Sequence, residues 1–172
     1  DNNEIKKYLI EGNWKKRAGS YGINSQFLNN TRIDFIDDNP NLECIISNTN
    51  SYVKIEWLKI FEQINKKNIH NCLVGEIKIK NKSINFKIQN LNKGKVKINF
   101  LNINSNQEII NILKKLLYKI TYCISCGSCV AECSTSALNI SNGRIHINPN
   151  KCVHCFKCLN FIEKGCNLAK SI

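Results

Sequence analysis

The chain has 172 residues, of which 25 are basic and 13 acidic, giving a formal net charge of +12. That length gives one medium domain or two small ones. No stretch approaches the roughly 18–20 apolar residues of a membrane helix and no secretory leader is visible, so no membrane span is expected; cysteine runs suited to thiolate metal sites point to a reducing interior, and the cytoplasm is the expected compartment. Only three of the basic residues are arginines, Arg17, Arg32 and Arg144; the rest are lysines. Arginine is the residue suited to paired contacts with phosphate and guanine. Lysine, asparagine and isoleucine share AT-rich codons, so coding bias explains the charge more cheaply than a nucleic-acid partner does. Methionine is absent. Asp1 is therefore expected to lie inside a longer gene product, with this chain as its C-terminal part and further chemistry upstream.

Residues 1–50 read as a connector and loop region. Ile5, Tyr8 and Leu9 give a short helical pattern that Gly12-Asn13 breaks. Trp14, Lys15, Lys16 and Arg17 come next. They make either a solvated connector or an anion-contacting loop for phosphate or a nucleic-acid backbone. Gly22 to Pro40 is polar and loop-like, and Leu42 to Ser47 fits a short strand.

Residues 51–120 read as an α-β-β-β-α unit. Val53, Trp57, Ile60, Phe61 and Ile64 fall at helical spacing, predicting a helix over Ser51–Lys67 capped by Asn50 or Ser51. Three alternating stretches then predict strands: Ile77 and Ile79; Ile84, Phe86 and Ile88; Val96, Ile98 and Phe100. Their intervening residues give the meander a lysine-rich face carrying Lys78, Lys80, Lys87, Lys95 and Lys97, the opposite face being apolar. The lysine face reads as solvated, with docking of an acidic partner or a nucleic-acid backbone as the sharper reading. It lacks interleaved aromatics, so base stacking is not expected. Ser105-Asn-Gln-Glu108 is a capping box opening a helix to about Ile120, with Ile109, Leu113, Leu116, Leu117 and Ile120 as its buried stripe. That helix runs straight into Cys123 with no Gly, Ser or Pro linker, so the cysteine-rich segment is rigidly coupled to it.

Eight of the ten cysteines lie in two runs after this helix. Cys123, Cys126, Cys129 and Cys133 have the spacing C-x2-C-x2-C-x3-C. Cys152, Cys155, Cys158 and Cys166 have C-x2-C-x2-C-x7-C. Three close thiolates can wrap an iron–sulfur cubane from one loop, while the fourth must come from elsewhere. Paired zinc sites also use C-x2-C pairs, but three cysteines in tight series with a distant fourth suit zinc poorly. A disulfide framework would need an oxidising compartment. Between the runs, Ser134 to Ala137 can make a helical turn. Leu138–Ile140 and Arg144–Ile147 read as strands joined at Ser141-Asn142-Gly143. Cys44 and Cys72 stand apart and read as buried small hydrophobes. His154 is not at a ligand spacing and is expected at most to support the ligands.

This segment resembles the bacterial two-[4Fe–4S] ferredoxins. In those proteins the fourth cysteine of each run ligates the other run's cluster. The resemblance therefore assigns Cys123, Cys126, Cys129 and Cys166 to one cluster, and Cys152, Cys155, Cys158 and Cys133 to the other. Ser134 stands where the family has proline, and the gap before Cys166 is longer than usual. The whole chain is thus expected to be α+β: a small antiparallel β-meander packed with helices, followed over 121–172 by a ferredoxin-like two-[4Fe–4S] domain. So short a segment leans on its clusters to fold.

The chain also resembles the C-terminal region of ferredoxin-bearing proteins of the phosphoadenosine phosphosulfate (PAPS) reductase family. The residues concerned are Glu11-Gly-Asn-Trp-Lys-Lys-Arg-Ala-Gly19, Trp57-Leu58-Lys59 in a helix, and Lys164-Gly-Cys-Asn-Leu-Ala-Lys-Ser171. The resemblance implies a nucleotide-binding PP-loop domain upstream in the same protein, an electron-donor protein as partner, and a link to reduction or sulfur transfer. The PP-loop signature Ser-Gly-Gly-x-Asp-Ser and a reductase cysteine tail are both absent from these residues, so no catalytic residue is assigned. An anion- or nucleic-acid-binding module with structural clusters, as in DNA sulfur modification, is the competing expectation.

Overall fold

The structure is a computed structural model that describes residues 32–36, 40–47, 55–70, 72–91, 93–123 and 125–164. Among these residues the predicted meander is the centre of a larger sheet. Strands β1 (Arg32–Ile36), β2 (Leu42–Ser47), β3 (Glu62–Ile69), β4 (Cys72–Ile79), β5 (Lys82–Leu91) and β6 (Lys95–Leu101) lie in the order β1-β2-β6-β5-β4-β3. Every neighbouring pair is antiparallel. The period-2 pattern sends alternate side chains to one face. Leu42, Cys44, Ile46, Ile77, Ile79, Ile84, Phe86, Ile88, Val96, Ile98 and Phe100 are all buried. Ile79 pairs with Lys82 across a two-residue turn, Lys80-Asn81, in which both residues have positive φ (49° and 65°). That geometry matches the twist of the flanking strands.

Two stretches differ from expectation. The polar run Gly22 to Pro40 predicts loop, yet β1 lies within it and pairs along its full length with β2. The helix predicted over Ser51–Lys67 is, in its described part, a short 3-10 segment, Ile55–Ile60, followed by β3. The apolar spacing that suggests a helix is real, since Trp57, Leu58, Ile60 and Phe61 are buried. It ends there. Asn65 to Ile69 are exposed and offer a helix no apolar stripe. The ladder to β4 takes their backbone instead. β3 carries a register shift between Gln63 and Asn65. Opposite it, Gly75 has no room for a side chain: a Cβ there would lie 2.4 Å from the Asn65 carbonyl oxygen and 2.7 Å from Cζ of Phe86.

Helix α1 (Gln107–Tyr122) buries the whole predicted stripe, Ile109, Leu113, Leu116, Leu117 and Ile120. Its cap is displaced by one residue from the predicted Ser105. Ser105 has φ 54°, and the side chain of Asn106 accepts the Ile109 N–H at 3.2 Å. Glu108 pairs with Lys80 rather than closing a capping box. At the far end the Cys123 N–H continues the helical ladder to the Lys119 carbonyl at 3.0 Å, so the first cysteine run starts on the last turn of the helix.

The segment after α1 contains a 3-10 turn (Val130–Glu132), β7 (Leu138–Ser141), β8 (Arg144–Ile147) and α2 (Lys157–Lys164). β7 and β8 form the expected hairpin, closed by Asn142 and Gly143 at φ 51° and 69°. The helical turn expected at Ser134 to Ala137 is not formed. The 3-10 turn precedes it, and a tight turn takes its place, closed by the Ser136 N–H on the Cys133 carbonyl. One continuous buried cluster runs from the sheet through α1 to Leu138, Ile145, Ile147 and Leu159. The cysteine segment is therefore packed onto the sheet domain.

Candidate metal centre

Each run folds as a loop with the same backbone alternation. Ser125 and Gly127 in the first have φ 57° and 79°; His154 and Phe156 in the second have φ 57° and 60°. These are the second and fourth residues after Cys123 and Cys152. A left-handed residue on either side of the middle cysteine turns successive amide N–H groups inward, the concave arrangement that favours anionic groups. The match between the loops is a repeat of conformation, not only of spacing. Gly127 needs its lack of a side chain, since a Cβ there would also crowd Ile140 at 3.3 Å. Phe156 adopts the same left-handed conformation with a side chain, and its ring lies 5.2 Å from that of the buried Phe61.

The thiols have local polar partners. The Ser125 N–H points to Cys123 Sγ at 3.4 Å, and the Cys126 thiol donates to the Ser128 hydroxyl oxygen at 3.4 Å. Cys133 Sγ accepts the Ala137 N–H at 3.2 Å, with the Thr135 hydroxyl at 3.7 Å. Partial burial would raise the Cys133 pKa, but hydrogen bonds from the Thr135 side chain and the backbone of Leu138, Ala137 and Thr135 outweigh it and lower it. Cys158 goes the other way. Burial, with the neighbouring thiol of Cys129, pushes it up to about 12, while Lys119 pulls against that rise. Burial likewise raises Cys152, helped by Cys133 and Cys155.

Cys133, Cys152, Cys155 and Cys158 line one small cavity, walled by Ile60, Leu138 and Phe156. The fourth cysteine of the first run thus meets three of the second. Cys123 and Cys129 are buried and Cys126 half-buried in the first loop, whereas Cys155 is exposed. Cys166 lies outside the described residues, as do Trp14, Lys15, Lys16 and Arg17. Among the described residues, no group of three His, Cys, Asp or Glu side chains is close enough to hold a single metal ion. The donor set, thiolates backed by inward N–H groups, fits iron–sulfur clusters.

The second loop is fastened to the sheet domain through the 3-10 turn at Ile55–Ile60. His154 Nδ1 lies 2.7 Å from the Ile60 carbonyl oxygen, and Cys152 Sγ lies 3.6 Å from the same atom. Glu56 accepts the Ile147 N–H at 3.0 Å while pairing with Lys59. His154 thus ties the second cysteine loop to the end of the Ile55–Ile60 turn. Glu56 carried no signal in the sequence. Of the isolated cysteines, Cys44 is fully buried in the sheet, and Cys72 is half-buried at the start of β4. Of the lysine face, Lys97 pairs with Glu43 at 2.8 Å and Lys80 with Glu108; Lys87 and Lys95 are exposed.

Residues 115–161 match the family model of the 4Fe-4S dicluster domain. No curated protein and no solved structure matches the chain. The chain thus carries a ferredoxin-like iron–sulfur domain. The matched stretch holds seven of the eight cysteines of the two runs and stops before Cys166. Among the described residues no helix is long and apolar enough to cross a membrane.

Proposed function

We propose that this chain is the electron-transfer region of a larger reductase or sulfur-transfer enzyme of PAPS-reductase type, whose PP-loop domain lies elsewhere in the same protein. Two [4Fe–4S] clusters would be held by Cys123, Cys126, Cys129 and Cys166, and by Cys152, Cys155, Cys158 and Cys133. Clusters of this kind take up and release single electrons, at potentials set by burial, charge and hydrogen bonds to sulfur. The chain's part is to hold the thiolates, direct N–H groups at them and exclude water from one side. The observation that carries the reading is the cavity shared by Cys133 and the three cysteines of the second run. Beside it Cys155 reaches the surface next to Val153, which is 60% exposed. Lys151 and Lys157 are exposed on either side, a surface suited to an acidic electron donor. In the full-length enzyme, Cys126→Ser and Cys155→Ser should each abolish turnover while nucleotide binding persists. Turnover equal to that of the parent would refute the proposal.

A second reading draws on the exposed Lys87 and Lys95. It makes the chain an anion- or nucleic-acid-binding module with structural clusters, as in DNA sulfur modification. It requires binding to duplex or single-stranded nucleic acid that weakens steeply with salt and ignores cluster redox state. Two lysines of the same face are already paired with carboxylates, which favours the first reading.

A further inference from the structure

The six-stranded sheet ends in two unlike edges. β1 has five residues. Its Arg32 and Asp34 pair with each other at 3.0 Å, and its Phe35 packs edge-on against Tyr118 of α1 at 5.6 Å. β3 has eight residues and stands at the other end of the strand order. After the register shift at Gln63 it pairs regularly with β4 from Asn65 to Ile69. Those five residues are all exposed, so both faces of the strand are open there. Among the described residues, no strand takes up its outward backbone groups.

The N–H and C=O groups of such an edge are a template for another extended segment. The side chains select its chemistry. Lys66 and Lys67 lie in the middle of the regular stretch, on opposite faces. Their partners across the ladder are Gly75 and Val74, which bring no charge. Among the described residues neither lysine forms an ion pair. Beyond them Ile69 is 50% exposed. A second copy of β3, laid antiparallel and centred on these residues, would set lysine against lysine, and like charges directly opposed are destabilising. Carboxylates in the same places are favourable.

We propose that the outer edge of β3 is a docking site for an extended acidic segment of a partner protein, which adds a seventh strand to the sheet. The carboxylates of that segment stand opposite Lys66 and Lys67, and one of its apolar side chains covers Ile69. The lysines that keep copies of this chain apart are the ones that admit the partner. No cysteine of the two runs lies on β3, so the proposal is independent of the two-cluster reading.

The probe is the end-blocked peptide Thr-Val-Thr-Glu-Glu-Val-Thr-Val, titrated into the iron-loaded chain under anaerobic conditions and followed by hydrogen-exchange mass spectrometry. The peptide should slow exchange across residues 65–69 and saturate with a Kd below about 1 mM. The double variant Lys66→Glu, Lys67→Glu should bind it about tenfold more weakly. The charge-swapped peptide Thr-Val-Thr-Lys-Lys-Val-Thr-Val should bind that variant within about threefold of the parent pair. Both lysines are exposed, so the variant keeps its fold, which unchanged exchange in β4, β5 and β6 checks. No slowing at β3 with the acidic peptide at millimolar concentration would overturn the proposal. So would equal binding of the acidic peptide by parent and double variant, or stronger protection of β3 by an oligonucleotide than by the peptide. Self-association of the parent that protects β3 without any peptide would overturn it too.

Discussion

Phe156 offers a sharp test of the ligand-loop geometry, because its backbone and its ring act in opposite directions. At φ 60° a residue with a Cβ carries a penalty of about 1–2 kcal/mol that glycine escapes. The ring offsets it by packing on Phe61 at 5.2 Å. Full burial of a phenylalanine is worth about 1.5–3 kcal/mol. Phe156 is half-buried, so its share is about 1–1.5 kcal/mol, and the aromatic pair adds about 0.5–1.5 kcal/mol. Phe156→Ala loses the ring and keeps the penalty, so it should cost about 2–3 kcal/mol. Phe156→Gly loses the same ring but sheds the penalty. Despite the greater freedom of glycine in the unfolded chain, it should be the more stable of the two by about 1 kcal/mol. The assay is anaerobic urea unfolding of the iron-loaded variants, monitored by far-ultraviolet circular dichroism and cluster absorbance. A glycine variant less stable than the alanine variant would refute the left-handed conformation, and with it the repeat between the two loops.

The same geometry dictates other outcomes. Cys155→Ser should reduce bound iron from about eight to about four per chain, since one of two four-iron clusters loses a ligand; iron analysis checks this. Glu56→Ala leaves the Ile147 N–H without its acceptor. It should lower stability by about 1–3 kcal/mol and quicken hydrogen exchange along β8, whereas Glu56→Gln keeps an acceptor and most of the stability. Cys44 is pushed up from 9.0 to about 12 by burial, so the folded chain retains a proton that the unfolded chain releases. This contribution is fully present below pH 9 and lost as pH rises toward 12. Unfolding measured across that range should show a downward slope that Cys44→Ala flattens.

Much of the sheet was legible because its strands alternate strictly. Ile77 and Ile79, then Ile84, Phe86 and Ile88, then Val96, Ile98 and Phe100, could face the core in only one register. The stripe of α1 was equally plain. β1 was hidden because it is a polar edge strand, with Arg32 and Asp34 exposed between partly buried Ile33 and Phe35. β3 was misread because Trp57, Ile60 and Phe61 mimic a helix over a span that a 3-10 turn also satisfies. At the candidate metal centre, the spacing of the cysteines was plain in the sequence, and Cys133 shares a cavity with Cys152, Cys155 and Cys158. The packing partners of this segment were not plain. Phe61 meets Phe156 of the second loop, and Glu56 meets Ile147 of β8, from distant positions in the chain that only tertiary packing brings together.

The central claim is that this chain holds two redox-active [4Fe–4S] clusters. It is tested most directly by anaerobic iron and sulfide analysis together with EPR of the dithionite-reduced protein. The account predicts about eight iron and eight sulfide per chain, with the broadened signals of two reduced clusters coupled through space. About four iron per chain, bound zinc in place of iron, or clusters that dithionite cannot reduce would contradict it.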